Sequence, residues 1–526
     1  MDTKGPSPNI HGRDFFTGTD VKNVAVEDEK RGTQFDEADM DRMGKLQQFR
    51  RNFKFLSIFS YAVILGATWE FALVVIGVSL SNGGTAGGIW MFLVVCFGMF
   101  FVMLSMAEMA SMAPTSGGQY HWVSEIAPRK YQKFLSYLVG WMCVIGWQTA
   151  LAATALATTQ QIQGLIALNY PAYDIQGWQS ALFCIAVSIV ALIWNTVLVR
   201  TLPAIEKIGL ILHVCGFFAF VAVLWAMAPR TDAKIIWTDF EDNSGWGNTG
   251  LSTLIGILGP MITLIGSDSS CHLSEELRDA SWVLPRAMFT AAIINYMMGF
   301  VMTITIMSAL GGDVPTILGT RLGQPWIQIL YNATESRVGT SIMTAMVCLL
   351  LLFCAISVIT TASRQLFAFA RDNGLPASNI LSYVRPGWDV PLNAIIATLG
   401  LTVILSLVVI GSTIAFNVIT SLGMLGLLSS YMIAISCILA KRLRGEMMLQ
   451  TRFSLGKLGM VVNIIALCFL SVAFTFIFFP VTPNPSPESM NWSCLMFGFI
   501  LTFSMIYYHI WGKHNYVGPV EYVKVQ

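Results

Sequence analysis

Leu65-Gly66-Ala67-Thr68-Trp69-Glu70 interrupts an apolar stretch that runs from Phe55 to Ser79, and Gly266-Ser267-Asp268-Ser269-Ser270 interrupts a second, from Leu251 to Leu277. Each stretch is otherwise apolar and long enough to cross a bilayer. A glycine and a carboxylate in mid-span are costly unless a cavity or a partner receives them, roughly 2.5–3.5 kcal/mol for a central Asp on insertion scales. Paired interruptions in two halves of a chain point to an inverted-repeat transporter, with the substrate site between them. The plainer alternative is a glycine kink, with Glu70 neutralised by a group on another helix.

Composition agrees with a membrane protein. Of 526 residues, 55% are hydrophobic and 12% charged, against about 25% charged in an ordinary soluble domain. Twelve apolar segments can be marked: 55–79, 88–112, 133–165, 178–199, 205–228, 251–277, 286–310, 339–370, 392–411, 413–440, 457–480 and 490–512. The fold class expected is therefore an all-α polytopic membrane protein with twelve transmembrane helices. A net charge of +1 gives no reason to expect a nucleic-acid partner. The ten cysteines show no Cys-x-x-Cys spacing and fall mostly inside apolar segments, as Cys96, Cys143, Cys215 and Cys354 do. They read as packing residues rather than disulfides or metal ligands. No nucleotide-binding motif, His-Glu-x-x-His pattern or nucleophile–base pair is present, so neither an enzyme nor a cofactor or metal is expected.

The basic residues set the orientation. Counted by side, 27 of the 31 Lys and Arg lie with the N-terminus, and only Arg230, Lys234, Arg321 and Arg337 lie opposite. The positive-inside rule then places both termini in the cytoplasm. Residues 1–52 form a polar tail without a signal-peptide core. Near its end Phe35, Met40, Met43, Leu46 and Phe49 recur at near-helical spacing ahead of Arg50, Arg51 and Lys54, which predicts an amphipathic helix on the cytoplasmic membrane face. Five spans over 53–228, five over 249–440, two over 456–512 and a tail over 513–526 complete the division. Two sequons, Asn332-Ala333-Thr334 and Asn491-Trp492-Ser493, fall on the outer side. Asn332 lies in a long loop and is the glycosylation candidate, whereas Asn491 lies too near the bilayer.

Ser105-Met-Ala-Glu-Met-Ala-Ser111, followed by Pro114-Thr-Ser-Gly-Gly-Gln-Tyr-His-Trp122, resembles a signature of the amino acid–polyamine–organocation (APC) superfamily. Together with Ala67-Thr-Trp-Glu70, Gly266 to Glu276 and Ser363 to Pro376, it is similar to the fungal amino acid/choline transporter family, which includes GABA and choline permeases. The resemblance implies the LeuT/APC-type five-plus-five inverted repeat with two extra helices, and secondary transport usually coupled to protons. It carries the family's substrate contacts onto Gly66, Ala67, Thr68, Gly266, Ser267 and Asp268, with Trp69 as an aromatic wall. It also points to span 3, with Gly140-Trp141 and Gly146-Trp147-Gln148-Thr149, and to Asn417 in span 10. Ordinary helix packing by small residues is the alternative at each of these positions.

The proton carrier stays open among Glu70, Asp268, His213 and Glu108. Lys207 is too shallow to stand in for the lysine that some bacterial relatives place deep in span 5. Glu70 or Asp268 is expected to face a substrate amine. Glu108 with Arg364 and Arg371 is a candidate cytoplasmic gate, the alternative being side chains that snorkel to the headgroups. Glu275 and Glu276 read as a solvated pair, and His272 as a hydrogen-bonded packing residue. The expected partners are a small-molecule substrate, a proton and the lipid bilayer, with the plasma membrane favoured over the vacuolar one. An amino acid or GABA is the favoured substrate. Choline, another quaternary ammonium or a polyamine is the alternative, and a sensor that binds without transport the more distant one. Oligomeric state is not legible.

Overall fold

The structure is a computed structural model that describes residues 32–45, 47–384, 390–411, 415–487 and 490–519. Twelve of its helices are long and apolar enough to cross a membrane. In chain order, spans 1 to 6 are Phe55–Val74, Gly84–Met112, Gln132–Asn169, Gly177–Thr196, Val199–Met227 and Thr249–Glu276. Spans 7 to 12 are Ala280–Ser308, Arg337–Arg371, Leu392–Gly411, Phe416–Leu443, Gly456–Ile477 and Ser493–Asn515. Among the described residues the one sheet is a two-residue antiparallel pairing of Asn82–Gly83 with Glu241–Asp242. The end of the bundle where span 1 begins is called the N-face below, and the opposite end the far face.

Both expected interruptions are breaks in helical structure. Span 1 divides into 1a (Phe55–Gly66) and 1b (Thr68–Val74) at Ala67, which is left-handed at φ 39° and ψ 44°. That conformation costs an L-residue roughly 1–2 kcal/mol. Beside it, position 66 has room only for glycine, because a Cβ there would run into the Asn295 amide, which donates to the Val63 carbonyl at 3.1 Å. Span 6 leaves its helix at Ile265, passes through Gly266 at φ +87°, and resumes as 3-10 turns over Ser269–Glu276, here 6b. Around the breaks, span 3 packs along spans 8 and 10, and span 2 along spans 7 and 11. Half-helix 1a lies against spans 5, 7 and 8.

The N-terminal segment differs from expectation. A helix forms over Gln34–Arg42, with Thr33 and Asp36 in a reciprocal capping box. Its apolar side does not lie on lipid. Met40 and Met43 are buried, as is Phe49 beyond the helix, while Phe35 stays exposed; Leu46 lies outside the described residues. Polar groups explain the docking. The Asp36 carboxylate accepts from the Asp279 and Ala280 amides at 2.8 and 2.9 Å, so it caps span 7. It also meets Arg51 at 3.2 Å, and Arg51 donates to the carbonyls of Ser274 and Leu277 at the end of 6b. Apolar periodicity marks which face is covered; these partners decide that protein covers it.

Short connecting helices escaped the hydropathy pattern, and two of them pack against the spans. Gln119–Ile126 follows a turn at Gly118, whose φ is +57° and where a Cβ would sit 2.9 Å from Cys271 Sγ. Pro325–Thr334 buries Trp326, whose ring nitrogen donates to Gln161 of span 3 at 2.8 Å.

Candidate functional site

A cavity of about 70 Å³ lies between the two breaks. Gly66 and Gly266 form part of its wall, with Trp147 and Thr149 of span 3, Phe71 of 1b and Phe416 of span 10. A Cβ on Gly266 would stand in ordinary contact, 3.5 Å from the Trp147 ring; the φ of +87° is what favours glycine there. Among the described lining residues there is no Asp, Glu, Lys or Arg.

Of the residues singled out from sequence, Gly66, Gly146, Trp147, Thr149 and Gly266 therefore meet at one cavity. The others are placed around it. Ala67 and Thr68 are buried, Thr68 against span 7 beside Gly299. Trp69 turns toward span 5, donating to the His213 carbonyl at 3.2 Å and packing on Phe220. The Ser267 hydroxyl donates to the Leu264 carbonyl at 3.3 Å and lies 3.2 Å from the Tyr296 hydroxyl. Asn417 borders a second cavity of about 220 Å³, with Ser421, Phe479 and Asn491.

Glu70 also turns away from the cavity. Its Oε1 lies 2.7 Å from His213 Nδ1, both side chains are fully buried, and among the described residues Glu70 Oε2 and His213 Nε2 have no hydrogen-bond partner. The 1b helix directs this residue toward span 5, and the Trp69 indole closes over the contact, 5.9 Å from the imidazole.

Below the second break, Asp268 accepts hydrogen bonds from Gln119 on one oxygen and Tyr431 on the other. His272 Nδ1 donates to the Ser116 carbonyl at 2.8 Å, and its ring stands edge-on to Trp147. Ligand-type atoms of Asp268, Cys271 and His272 come within 4.8 Å of one another. These are the residues whose chemistry would suit a metal, although both Asp268 oxygens are already engaged by donors. The arrangement does link the break to the short Gln119–Ile126 helix and to span 10, through Gln119 and Tyr431.

Farther toward the N-face the ion pairs differ from those expected. Glu108 pairs with Arg442 and accepts from the Leu455 amide at 2.9 Å, so it joins span 2 to spans 10 and 11. Arg364 pairs with Glu276 at 3.0 Å, and Arg371 makes a two-pronged bond to Glu275 at 2.8 and 2.9 Å. Half-helix 6b lies against span 8, so its carboxylates reach those arginines, and Glu275 and Glu276 are buried rather than solvated. Lys45 closes the network on Asp372, which also accepts from Tyr120 at 3.0 Å. Burial pushes the Lys45 ammonium below its usual pKa, opposed by the Asp372 charge. Burial likewise raises the Tyr120 phenol, aided by Asp372.

Sequence reasoning missed Gln119, Tyr431, Asn295 and Glu206. Glu206 had a readable signal: it stands seven residues before His213 on one helix, hence on the same face. On the far face, Asn332 is exposed on its loop helix. Asn491 is buried, and its side-chain nitrogen donates to the carbonyls of Ile477 and Phe479 at 2.9 and 3.2 Å.

Comparison with known proteins defines the class. The amino acid permease family matches residues 53–500, and the chain belongs to that family, within the APC superfamily. It is 32% identical over 446 residues to a Macrophomina phaseolina protein assigned by name to amino acid/polyamine transport, covering 84% of this chain and 98% of the relative. An uncharacterised amino-acid permease of Schizosaccharomyces pombe is 29% identical over 488 residues, covering 91% of this chain and 88% of its own length. A choline transporter of Saccharomyces cerevisiae is 25% identical over 510 residues, covering 97% and 88%. The protein is thus an integral membrane permease, not an enzyme, and a small-molecule solute and the bilayer are its partners.

Proposed function

We propose that this permease is a proton-coupled importer of a small neutral zwitterion, an amino acid or a GABA-like solute, in the plasma membrane of a fungus. The cavity between the breaks supports this reading most directly. Its walls are glycine backbone, apolar side chains and Thr149, Thr154 and Thr420, with no acidic side chain among the described lining residues. A substrate amine there has to be met by carbonyls freed at the break, and a carboxylate by freed amides. Carbonyls need N–H donors, which a primary amine has and a quaternary ammonium lacks. A polyamine, with several cations, finds no counter-charge in this wall.

Choline remains the second reading, because one relative is named a choline transporter and Phe71, Trp147 and Phe416 offer aromatic faces. Proton coupling rests on the Glu70–His213 pair. In the same reading both termini are cytoplasmic, residues 53–228 and 249–440 are the two inverted repeats, and the N-face network is the closed cytoplasmic gate. Uptake of labelled neutral amino acids, GABA, a polyamine and choline into vesicles holding the purified protein tests the assignment. Saturable entry of a neutral zwitterion that excess choline does not block is expected; entry of choline alone overturns it.

A further inference from the structure

We infer that Glu206 is a second proton-binding site, holding its proton while the N-face is closed and releasing it there when that face opens. This rests on the reading above that transport is coupled to protons. Glu206 lies near the N-face end of span 5 and is buried at the contact with 1a and span 8. One carboxyl oxygen accepts from the Ser357 hydroxyl at 2.8 Å, and the other has no partner among the described residues. No basic side chain pairs with it among the described residues. Lys207, its neighbour in sequence, is exposed on another side of the helix.

The groups that face Glu206 are neutral. From 1a comes Tyr61, whose hydroxyl donates to the Ser357 carbonyl at 2.7 Å and also meets Thr361. From span 8 come Ser357 and the buried thiol of Cys354. Arg364, the nearby cation of span 8, is held by Glu276 of 6b. A carboxylate charge held here would be buried without a counter-ion, a costly arrangement that protonation removes. Water reaching the site after an opening movement reverses that preference.

Glu206 and His213 are seven residues apart, two helical turns or about 10 Å along the axis. Between them Gly209 brings span 5 tightly onto its neighbours: a Cβ there would sit 3.2 Å from both Ile64 of 1a and Phe353 of span 8. The two protonation sites are therefore separated by a packed, apolar step made partly by 1a. Movement of 1a away from span 5 both breaks that step and wets Glu206. Once Glu206 has given its own proton to water, its carboxylate accepts the proton released from His213 and keeps it as the N-face closes, so one proton crosses per cycle.

The test compares two fluxes in vesicles containing the full chain: net uptake driven by an imposed proton gradient, and solute exchange at equal pH. Exchange needs no proton release, whereas net uptake does. Glu206→Gln, fixed in a neutral state, is expected to lower net uptake roughly tenfold or more while keeping exchange within about twofold of wild type. Net uptake and exchange that retain the wild-type ratio overturn the inference. Should Glu206→Gln lose both fluxes, Glu206→Asp decides: net uptake with a shifted dependence on N-face pH supports the site, and an unshifted dependence overturns it. Absence of gradient-driven uptake in the wild type would instead refute the underlying coupling, a separable result.

Discussion

Glu70 and His213 meet at 2.7 Å in a place closed to water, and the pair is linked to the cavity through the half-helix that carries Glu70. Glu70 was legible from sequence as an unusual mid-span carboxylate, and His213 as an ionisable group deep in span 5. Their pairing was not, because hydropathy reports depth and not the azimuth of a side chain. The same blindness led to the expectation that Glu70 or Asp268 faces a substrate amine, whereas Glu70 faces span 5 and Asp268 faces Gln119 and Tyr431. Glu70→Gln is expected to cut gradient-driven uptake roughly tenfold while the protein still reaches the cell surface. Normal uptake would remove Glu70 from the mechanism. His213→Asn should flatten the pH profile of uptake, read as initial rate against external pH, and an unchanged profile would shift the role to Glu70 alone. Gly266 was legible as a glycine in a mid-span break, and its φ of +87° is a conformation that side-chain-bearing residues rarely adopt. Gly266→Val should abolish substrate-protected labelling of the site.

At the scale of elements, half-helix 6b is held to the N-face by two arginines of span 8 and by the N-terminal segment. Glu275 and Glu276 looked like solvated residues near a membrane surface. Burial came from tertiary contacts, with span 8 and the segment through Phe53 covering them. The apolar pattern of the N-terminal helix was legible, but its destination was set by Asp36, Lys45 and Arg51 finding partners in spans 7 and 8 and half-helix 6b. Removing one member of a buried ion pair typically costs about 3–5 kcal/mol, because the other is left charged and unpaired. Glu275→Gln should therefore lower the thermal unfolding temperature of the detergent-purified protein markedly. Combining it with Arg371→Met should recover part of that loss. A double variant less stable than the single one would show that Arg371 has another anchor.

For the whole molecule, the twelve spans and the family were legible because bilayer crossing leaves a strong hydropathy record and the motifs around the breaks are distinctive. Short connecting helices leave no such record. Orientation can be read from glycosylation. If the far face is extracellular, Asn332, exposed on its helix, should carry glycan that a glycosidase removes, and Asn332→Gln should abolish the mobility shift. Asn491 should contribute none, since its side-chain nitrogen is buried and bound to two carbonyls. A shift that survives Asn332→Gln would reverse this assignment. On the proposed reading, one proton-coupled path runs past the cavity between Gly66 and Gly266. Simultaneous recording of neutral amino acid uptake and proton entry in vesicles, for wild type and Glu70→Gln, checks this. Acid outside should drive accumulation of the solute with matching proton influx in the wild type, both falling together in the variant. Solute accumulation with no proton movement, or with proton coupling intact in Glu70→Gln, would contradict it.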